Sequence, residues 1–517
     1  MVDVCQPRRH SFTSCHKAVS VAACSTFLGE GELPLRPDRA GHRVARDIAH
    51  RIIKSGWPVG AHLGTEAALM NELGVGRATF REGVGILQRQ GVIQTVAGPK
   101  GGLIVKAPPE AAFSNLLRNH LELTDVSFDE LMLVHKILFH IAADLALSRV
   151  TPARLNDLRA AMRMPGEGRL TRDEQGMQVT AFEAAMLRMA DNPDLGHITL
   201  AVQRLLADFG HQERYPKAVW QEMLARTYDM NARMLAALVA RDARIHDVID
   251  ERYEYVTGVI EQLERRNGKV WNRKSFLHGA YTSALIGRER EQRAPLQLSY
   301  QLAAQIRRNE LPPGTSLGNE DDIALFYDAS KVVVIEAVRM LEFLGIVRVS
   351  RGRSAGVEVI EPDPSLVIQT AELYLEYLNG LPADLEVVRR GIERGAIASA
   401  AGNLLDSAIS PLVVRATRLA ELPDNRQLEE AADLYRRILS LSGNRALNFL
   451  AEILSKVHRK QGLAARSEPG AIARAANDLA LALADPDGRD VARCMIELVG
   501  VLDLYIRAGS ASDGGTM

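Results

Sequence analysis

The segment Gly60–Val105 reads GAHLGTEAALMNELGVGRATFREGVGILQRQGVIQTVAGPKGGLIV. Its opening part has helical spacing, with Leu69 and Leu73 one turn apart in a pattern running from Glu66 to Leu73. Gly74-Val75-Gly76 interrupts it, and a second helical pattern then puts Phe80, Val84 and Leu87 on one face. Two short helices across a glycine-containing turn form the helix-turn-helix plan, whose second helix lies in the DNA major groove. Arg77, Thr79 and Arg81 fall near the start of that second helix. An arginine there can fork onto guanine O6 and N7, and a threonine can meet a phosphate or a thymine methyl. Val92–Val96 and Leu103–Val105 predict two strands, joined by the basic, glycine-rich tip Gly98-Pro99-Lys100-Gly101-Gly102. The whole is predicted to be a winged helix-turn-helix.

Working outward, Pro58-Val59-Gly60, Leu63, Glu66, Leu69, Gly74-Val75, Arg77, Arg81-Glu82, Leu87, Gly91-Val92-Ile93 and the wing glycines carry a resemblance. At these positions the chain resembles the GntR family of bacterial transcription regulators. The resemblance implies a double-stranded DNA operator as partner and a cytoplasmic protein without catalytic residues. Glu66, Arg77, Thr79, Arg81, Lys100, Gly101 and Gly102 form the expected DNA-facing set. The bland alternative, that Arg77 and Arg81 are solvated surface charges, is weakened by their place where the groove would be.

A chain of 517 residues, 47% hydrophobic and 25% charged, can bury several cores, so more than one domain is expected. Its formal net charge of −1 excludes a globally basic coat for nucleic acid, leaving local charge to supply any DNA affinity. Arg39, Arg43, Arg46, Arg51 and Lys54, against Asp47 alone, supply such a patch. No apolar run is read as approaching the ~18 residues of a spanning helix, so no membrane partner is expected.

Cys5, Cys15 and Cys24 lie early, near His10 and His16, with Cys494 far away. Their spacing fits no compact zinc pattern, and residues 1–38 read as a disordered extension. No metal and no cofactor are expected. Nothing argues for disulfides or export.

Val44, Ile48 and Ile52 predict the first helix of a winged domain over residues 39–106. After Ala107-Pro108-Pro109, helical patterns recur over 127–149, 152–163, 175–190, 197–209, 217–240 and 242–264, giving an all-α bundle over 110–265. Within the resemblance this is similar to the FadR/FCD type of effector domain, which implies a small organic or acyl acid as ligand.

The chain then repeats itself. Leu298, Leu302 and Ile306 match Val44, Ile48 and Ile52; Glu320 matches Glu66, Glu336 matches Glu82, and Gly345-Ile346-Val347 matches Gly91-Val92-Ile93. Each pair is separated by the same 254 positions (314 − 60, 336 − 82, 345 − 91). An ungapped match of this length reads as internal duplication. The expected architecture is mainly α: a linker over 266–295, a second winged domain over 296–361, a second bundle over 364–507 and a disordered tail over 508–517. The two units would form an intramolecular pseudo-dimer, with scope for further self-association.

The copies differ where DNA would be read. Arg77, Thr79 and Arg81 become Lys331, Val333 and Ile335, while the second wing carries Arg351 and Arg353. A lysine meets phosphate as a point charge without the planar fork of arginine. Copy one would then read sequence while copy two grips backbone; alternatively copy two has left DNA altogether. An asymmetric operator follows from the first reading.

The resemblance also implies a metal held by an Asp and three His. Anchored on Asn192, the first pair falls on Val179 and Glu183, and the later two near Asn231 and Tyr253; anchored on Asn444, the first pair falls on Ala431 and Tyr435. Valine and alanine cannot ligate, and asparagine and tyrosine replace imidazole poorly, so the site reads as dismantled in both halves. The remaining effector candidates are His135, Glu183, Asn231, Arg389, Glu393 and Tyr435. Arg389 could anchor a carboxylate by a bidentate pair, or simply pair with Glu393 one turn on. His135 and His140 read more readily as packed or surface histidines.

No phosphate loop, Cys-x-x-Cys, His-Glu-x-x-His or nucleophile elbow occurs, and no alternation of strands and helices suggests an aminotransferase module, so an enzyme is not expected. The competing function is an interaction or sensor protein whose winged domains bind other proteins.

Overall fold

The computed structural model describes most of residues 40–513. Outside it lie 1–39, 163–171, 210–214, 267–293, 351–355, 402–410, 461–468, 485–490, 514–517 and shorter stretches. The expected N-terminal extension with its three cysteines, most of the linker, and the wing-tip residues Lys100, Arg351 and Arg353 therefore fall outside the described residues.

The first winged region runs α1 (Ala40–Lys54), β1 (His62–Gly64), α2 (Glu66–Leu73), α3 (Arg77–Arg89), β2 (Ile93–Val96) and β3 (Gly102–Val105). Thr65 starts α2 by accepting the Ala68 amide at 3.2 Å. Gly74 ends it at φ 63°, the left-handed conformation a helix C-terminus commonly needs. Val44, Ile48 and Ile52 of α1 bury against Phe80, Val84 and Leu87 of α3, and the wing adds Ile93, Leu103 and Val105 to the same core. The strands form one antiparallel sheet in the order β1-β3-β2, with His62 opposite Ile104 and Ile93 opposite Val105. Strand β1 was not expected from sequence: three residues with an irregular register are too short to show period-two alternation.

A second set follows: α10 (Ala294–Arg308), α11 (Glu320–Tyr327), α12 (Lys331–Phe343), β4 (Val347–Ser350) and β5 (Gly356–Val359). Each begins 254 positions after its counterpart (294 − 40, 320 − 66, 331 − 77, 347 − 93, 356 − 102). A single bridge, Ser316 to Glu358, stands where β1 pairs in the first region.

The helices α4 (Phe128–Ser148), α5 (Pro152–Ala161), α6 (Arg172–Ala190), α7 (Pro193–Phe209), α8 (Lys217–Ala240) and α9 (Ile245–Arg266) form the first bundle. The second comprises α13 (Ser365–Tyr377), α14 (Pro382–Ala401), α15 (Asp424–Ser440), α16 (Arg445–Lys460), α17 (Pro469–Ala484) and α18 (Val491–Asp513). The last helix continues to Asp513, past the expected start of a disordered tail at 508. One expectation about apolar length needs correction. Helix α4 is long and apolar enough to cross a membrane by length and composition. Its apolar faces pack against α6, α7 and α9 of its own bundle and against α14 and α16 of the other, while Lys136, His140 and Asp144 form a polar stripe along it.

The bundles meet along α4 and α14. Gly391 and Gly395 leave room for Ile141 and Ile137 of α4; a Cβ at either glycine would lie 2.3 Å from an isoleucine Cδ1. The first winged region, in turn, rests on α13 of the second half. Leu373 enters its core, Trp57 lies 5.0 Å from Tyr377 between ring centres, and Gln90 is held from both ends. The Gln90 side chain donates to Thr370 Oγ1 at 2.5 Å, and Tyr374 donates to its backbone carbonyl at 2.8 Å.

Candidate nucleic-acid interface

Helix α3 places Arg77 and Arg81 one turn apart, both exposed, with Thr79 half-buried between them. The N-cap residue is Gly76, which has no side chain to accept from the first amides of α3. Unsatisfied amides and the positive end of the helix dipole favour an anion there, and Arg77 adds a full charge at the same place. Among the described residues neither Arg77 nor Arg81 is held by a carboxylate. Glu66 opens α2 half-exposed, inside its first turn.

The sequence-predicted glycines also have a role within the fold. Gly101 donates its amide to the Gly98 carbonyl at 2.7 Å and closes the wing turn. Gly102 is buried, with φ 156°, and a Cβ there would lie 2.2 Å from the Gly64 carbonyl oxygen. Both shape the wing, Gly102 through a close approach to β1 that leaves no room for a side chain. Arg51 is also engaged. Its Nη1 donates to both carboxylate oxygens of Glu72 at 2.8 Å, tying α1 to α2.

The second winged region differs in its chemistry. Ser330 caps α12 by accepting the Val333 amide, so one of the amides at that helix start is already satisfied. Lys331 pairs with Asp321 at 2.8 Å, and Ile335 stands half-buried where Arg81 stands in the first region.

In the first bundle, His135, Glu183 and Asn231 do come together, around a residue that sequence reasoning missed. Arg252 donates to Glu183 and, at 3.2 Å, to Asn231 Oδ1, all three being buried. Gln203 donates to the other Glu183 oxygen at 2.6 Å. Tyr253 meets His135 Nδ1 at 2.5 Å, leaving His135 Nε2 3.7 Å from Glu183. Burial pushes the His135 pKa down against the pull of Glu183, so the ring is neutral and Tyr253 donates to Nδ1. The positions at which the family resemblance implies a metal do not fit one: a guanidinium fills the space between Glu183 and Asn231. A signal for Arg252 did exist. It sits on the apolar stripe Ile245, Val248, Ile249, Tyr253 of α9, where a charge needs a buried partner.

In the second bundle, Arg389 is 1% exposed and lies between two carboxylates. It donates to Glu386 at 2.8 and 3.0 Å and to Glu393 at 2.5 Å; Tyr435 donates to Glu393 and shares a 2.7 Å hydrogen bond with Ser455. The Arg389–Glu393 pair one turn apart is thus formed, and Glu386 and Ser455 were not anticipated. A cleft of 450 Å³ opens beside this group, lined by Arg389, Arg390, Arg394 and Arg474 together with Glu393 and Asp478.

Comparison with known proteins finds parts of the chain similar to two curated regulators. It is 36% identical over 92 residues to the HTH-type transcriptional regulator RmpR of Mycobacterium gastri, a match covering 18% of this chain and 32% of that protein. It is 28% identical over 149 residues to the HTH-type transcriptional repressor NanR of Klebsiella aerogenes, covering 28% of this chain and 56% of the repressor. Both relatives are helix-turn-helix regulators. The chain thus spans about a third and about half of the lengths of these curated relatives. Among solved structures, Streptococcus agalactiae GntR matches at 18% identity with a TM-score of 0.26, covering 42% of this chain and 98% of that one. Escherichia coli McbR/YncC matches at 20% identity and a TM-score of 0.18, covering 43% and 98%. No protein-family profile matches.

Proposed function

We propose that the chain is a DNA-binding transcriptional regulator of the GntR type, with FadR-like bundles, whose first winged region reads its operator. The observation that carries this reading is the pair of exposed arginines, Arg77 and Arg81, at the uncapped start of α3. Arg77 meets phosphate or a guanine at the helix start, Arg81 reaches a base edge one turn further in, and Thr79 lies between them.

The chain acts as a pseudo-dimer made by internal duplication. Its two winged regions are unequal, and the operator is correspondingly asymmetric, with one half-site read strongly. The bundles carry the control. An organic acid is the effector class that suits the cleft beside Arg389, because Arg394 and Arg474 line it together with Arg389 and Arg390, which are both paired with Glu386. Ligand in that cleft shifts the equilibrium between placements of the winged regions, through α14 and the α13 seat.

The test is selection from a randomised DNA library with the purified chain, repeated with R77A/R81A. An asymmetric motif that disappears in the variant supports the reading. Absence of any enriched motif at moderate salt, with both proteins alike, removes it.

A further inference from the structure

The helix-turn-helix of the second half presents large apolar side chains to solvent. Leu325 is 87% exposed, Phe326 63% and Val332 72%, at the end of α11 and the start of α12. The residues 254 positions earlier are Asn71, Glu72 and Ala78. Two polar positions and one small one have therefore become leucine, phenylalanine and valine, on the element that faces DNA in the first region. Nothing in the fold requires this, since the core of the region is already filled by Val334, Ala337, Val338 and Leu341 from the opposite side of α12. Apolar side chains clustered on a surface mark a contact site more often than scattered ones do.

Charge has changed with them. Between Asn319 and Val332 the chain carries Glu320, Asp321, Asp322 and Asp328 against Lys331 alone. Asp321 holds that lysine at 2.8 Å, so the face keeps a negative surplus. The matching stretch of the first region has Ala67 and Ala68 where Asp321 and Asp322 stand. A DNA backbone brought to α12 would meet carboxylates and valine where α3 offers guanidinium groups, and phosphate is repelled.

We propose that this face, Leu325, Phe326 and Val332 rimmed by Glu320, Asp321 and Asp328, is a docking surface for another protein, one presenting a basic segment with apolar anchors. Leu325, Phe326 and Val332 bury the anchors, and the carboxylates select lysine or arginine beside them. Charge complementarity argues against a second copy of this chain paired symmetrically through the same face, because that would oppose acid to acid. The inference rests on the reading of the first winged region as the DNA reader only in calling the two regions divided in labour. The surface itself stands on the second region's residues.

The experiment is peptide-display selection on the full chain, with counter-selection on Leu325→Asn/Phe326→Glu, a variant that installs the residue types of the first region at exposed positions. The selected peptide is then titrated by fluorescence anisotropy at low and high salt, and operator affinity is measured in parallel. The proposal expects peptides carrying lysine or arginine around apolar residues. Their affinity should fall at least tenfold in the variant and weaken with salt, while DNA affinity stays unchanged. It is overturned by peptides that are acidic or insensitive to the variant, or by no enrichment at all. Loss of DNA affinity in the variant, or a self-association of the chain abolished by Phe326→Glu, overturns it as well. Failure of the R77A/R81A test would leave these peptide results standing, so the two readings fail separately.

Discussion

Asn192 and Asn444 make the same contact in opposite directions. Asn192 donates to the carbonyl of Asp384 in the second half at 3.0 Å, and Asn444 donates to the carbonyl of Glu130 in the first half at 3.0 Å. Each also accepts an amide of its own helix start at 2.9 Å, from Leu195 and from Leu447. Each asparagine therefore starts a helix and fastens it to the first turn of a helix in the opposite bundle, α14 for Asn192 and α4 for Asn444. The seam between halves has a two-fold pattern within one chain.

Replacing either asparagine by alanine should cost about 1–3 kcal/mol, the usual penalty for leaving buried polar groups unpaired. Urea denaturation of Asn192→Ala and Asn444→Ala measures it. A change below about 0.5 kcal/mol in both would mean that the seam is held by packing alone.

The buried ion pair of the first bundle should behave asymmetrically. Glu183→Ala leaves Arg252 without its carboxylate and should lose about 3–5 kcal/mol, whereas Glu183→Leu with Arg252→Met should be close to neutral. Thermal unfolding of the three proteins distinguishes these outcomes. An equal loss in the single and double variants would show that the pair is needed for more than its own neutrality.

Two carboxyls should shape the acid side and the neutral side of stability in opposite senses. Burial raises the Asp194 pKa to about 6, with nearby Asp384 adding to it. The contribution of such a group is full below its unfolded value of 3.8 and is lost as pH rises through about 6. Asp194→Asn should therefore gain on the order of 3 kcal/mol at pH 8 and little at pH 3. For Glu130 burial acts upward too, but Arg445 and the backbone amides of Ser127 and Arg445 outweigh it and hold the pKa at about 2. Its contribution is present above 4.5 and is lost as pH falls toward 2, so Glu130→Gln should flatten that limb of the pH–stability profile.

Gly102→Ala should damage the first wing while leaving Arg77 and Arg81 unchanged. Its Cβ would sit 2.2 Å from a backbone oxygen, which cannot swing away as a side-chain tip can. We expect a loss of about 2 kcal/mol or more, and amide exchange in β1 and β3 accelerated ahead of the bundles. Exchange unchanged in the wing would contradict the close packing of β1 on β3.

Much of the fold was legible from local pattern. Leu69, Phe80, Val84 and Leu87 are buried as their spacing required, and α2, α3 and the wing strands begin within a residue or two of the predicted positions. The exposure of Arg77 and Arg81 was legible for a similar reason, since a helix start fixes where its next residues point. What escaped the reading depends on distance along the chain. The seat of Gln90 on Thr370 spans 280 residues, and nothing near either residue announces it. Arg252 was within reach, as a charge on an apolar stripe, but its meaning came from Glu183, 69 positions away. The packing roles of Gly101 and Gly102 were not legible, because a wing glycine can serve a ligand or a neighbouring strand, and sequence does not separate the two.

The seat of the first winged region on α13 has a consequence for what holds the molecule together. Covalent continuity joins the region to the first bundle, while Leu373, Thr370, Tyr374 and Tyr377 join it to the second. A single cut within residues 267–293 would therefore produce two fragments that stay locked as a complex. Separated, the fragment ending in the first bundle would lack the surface its own winged region rests on. Expressed as two genes, the halves should assemble with each other, and each would be the other's missing part.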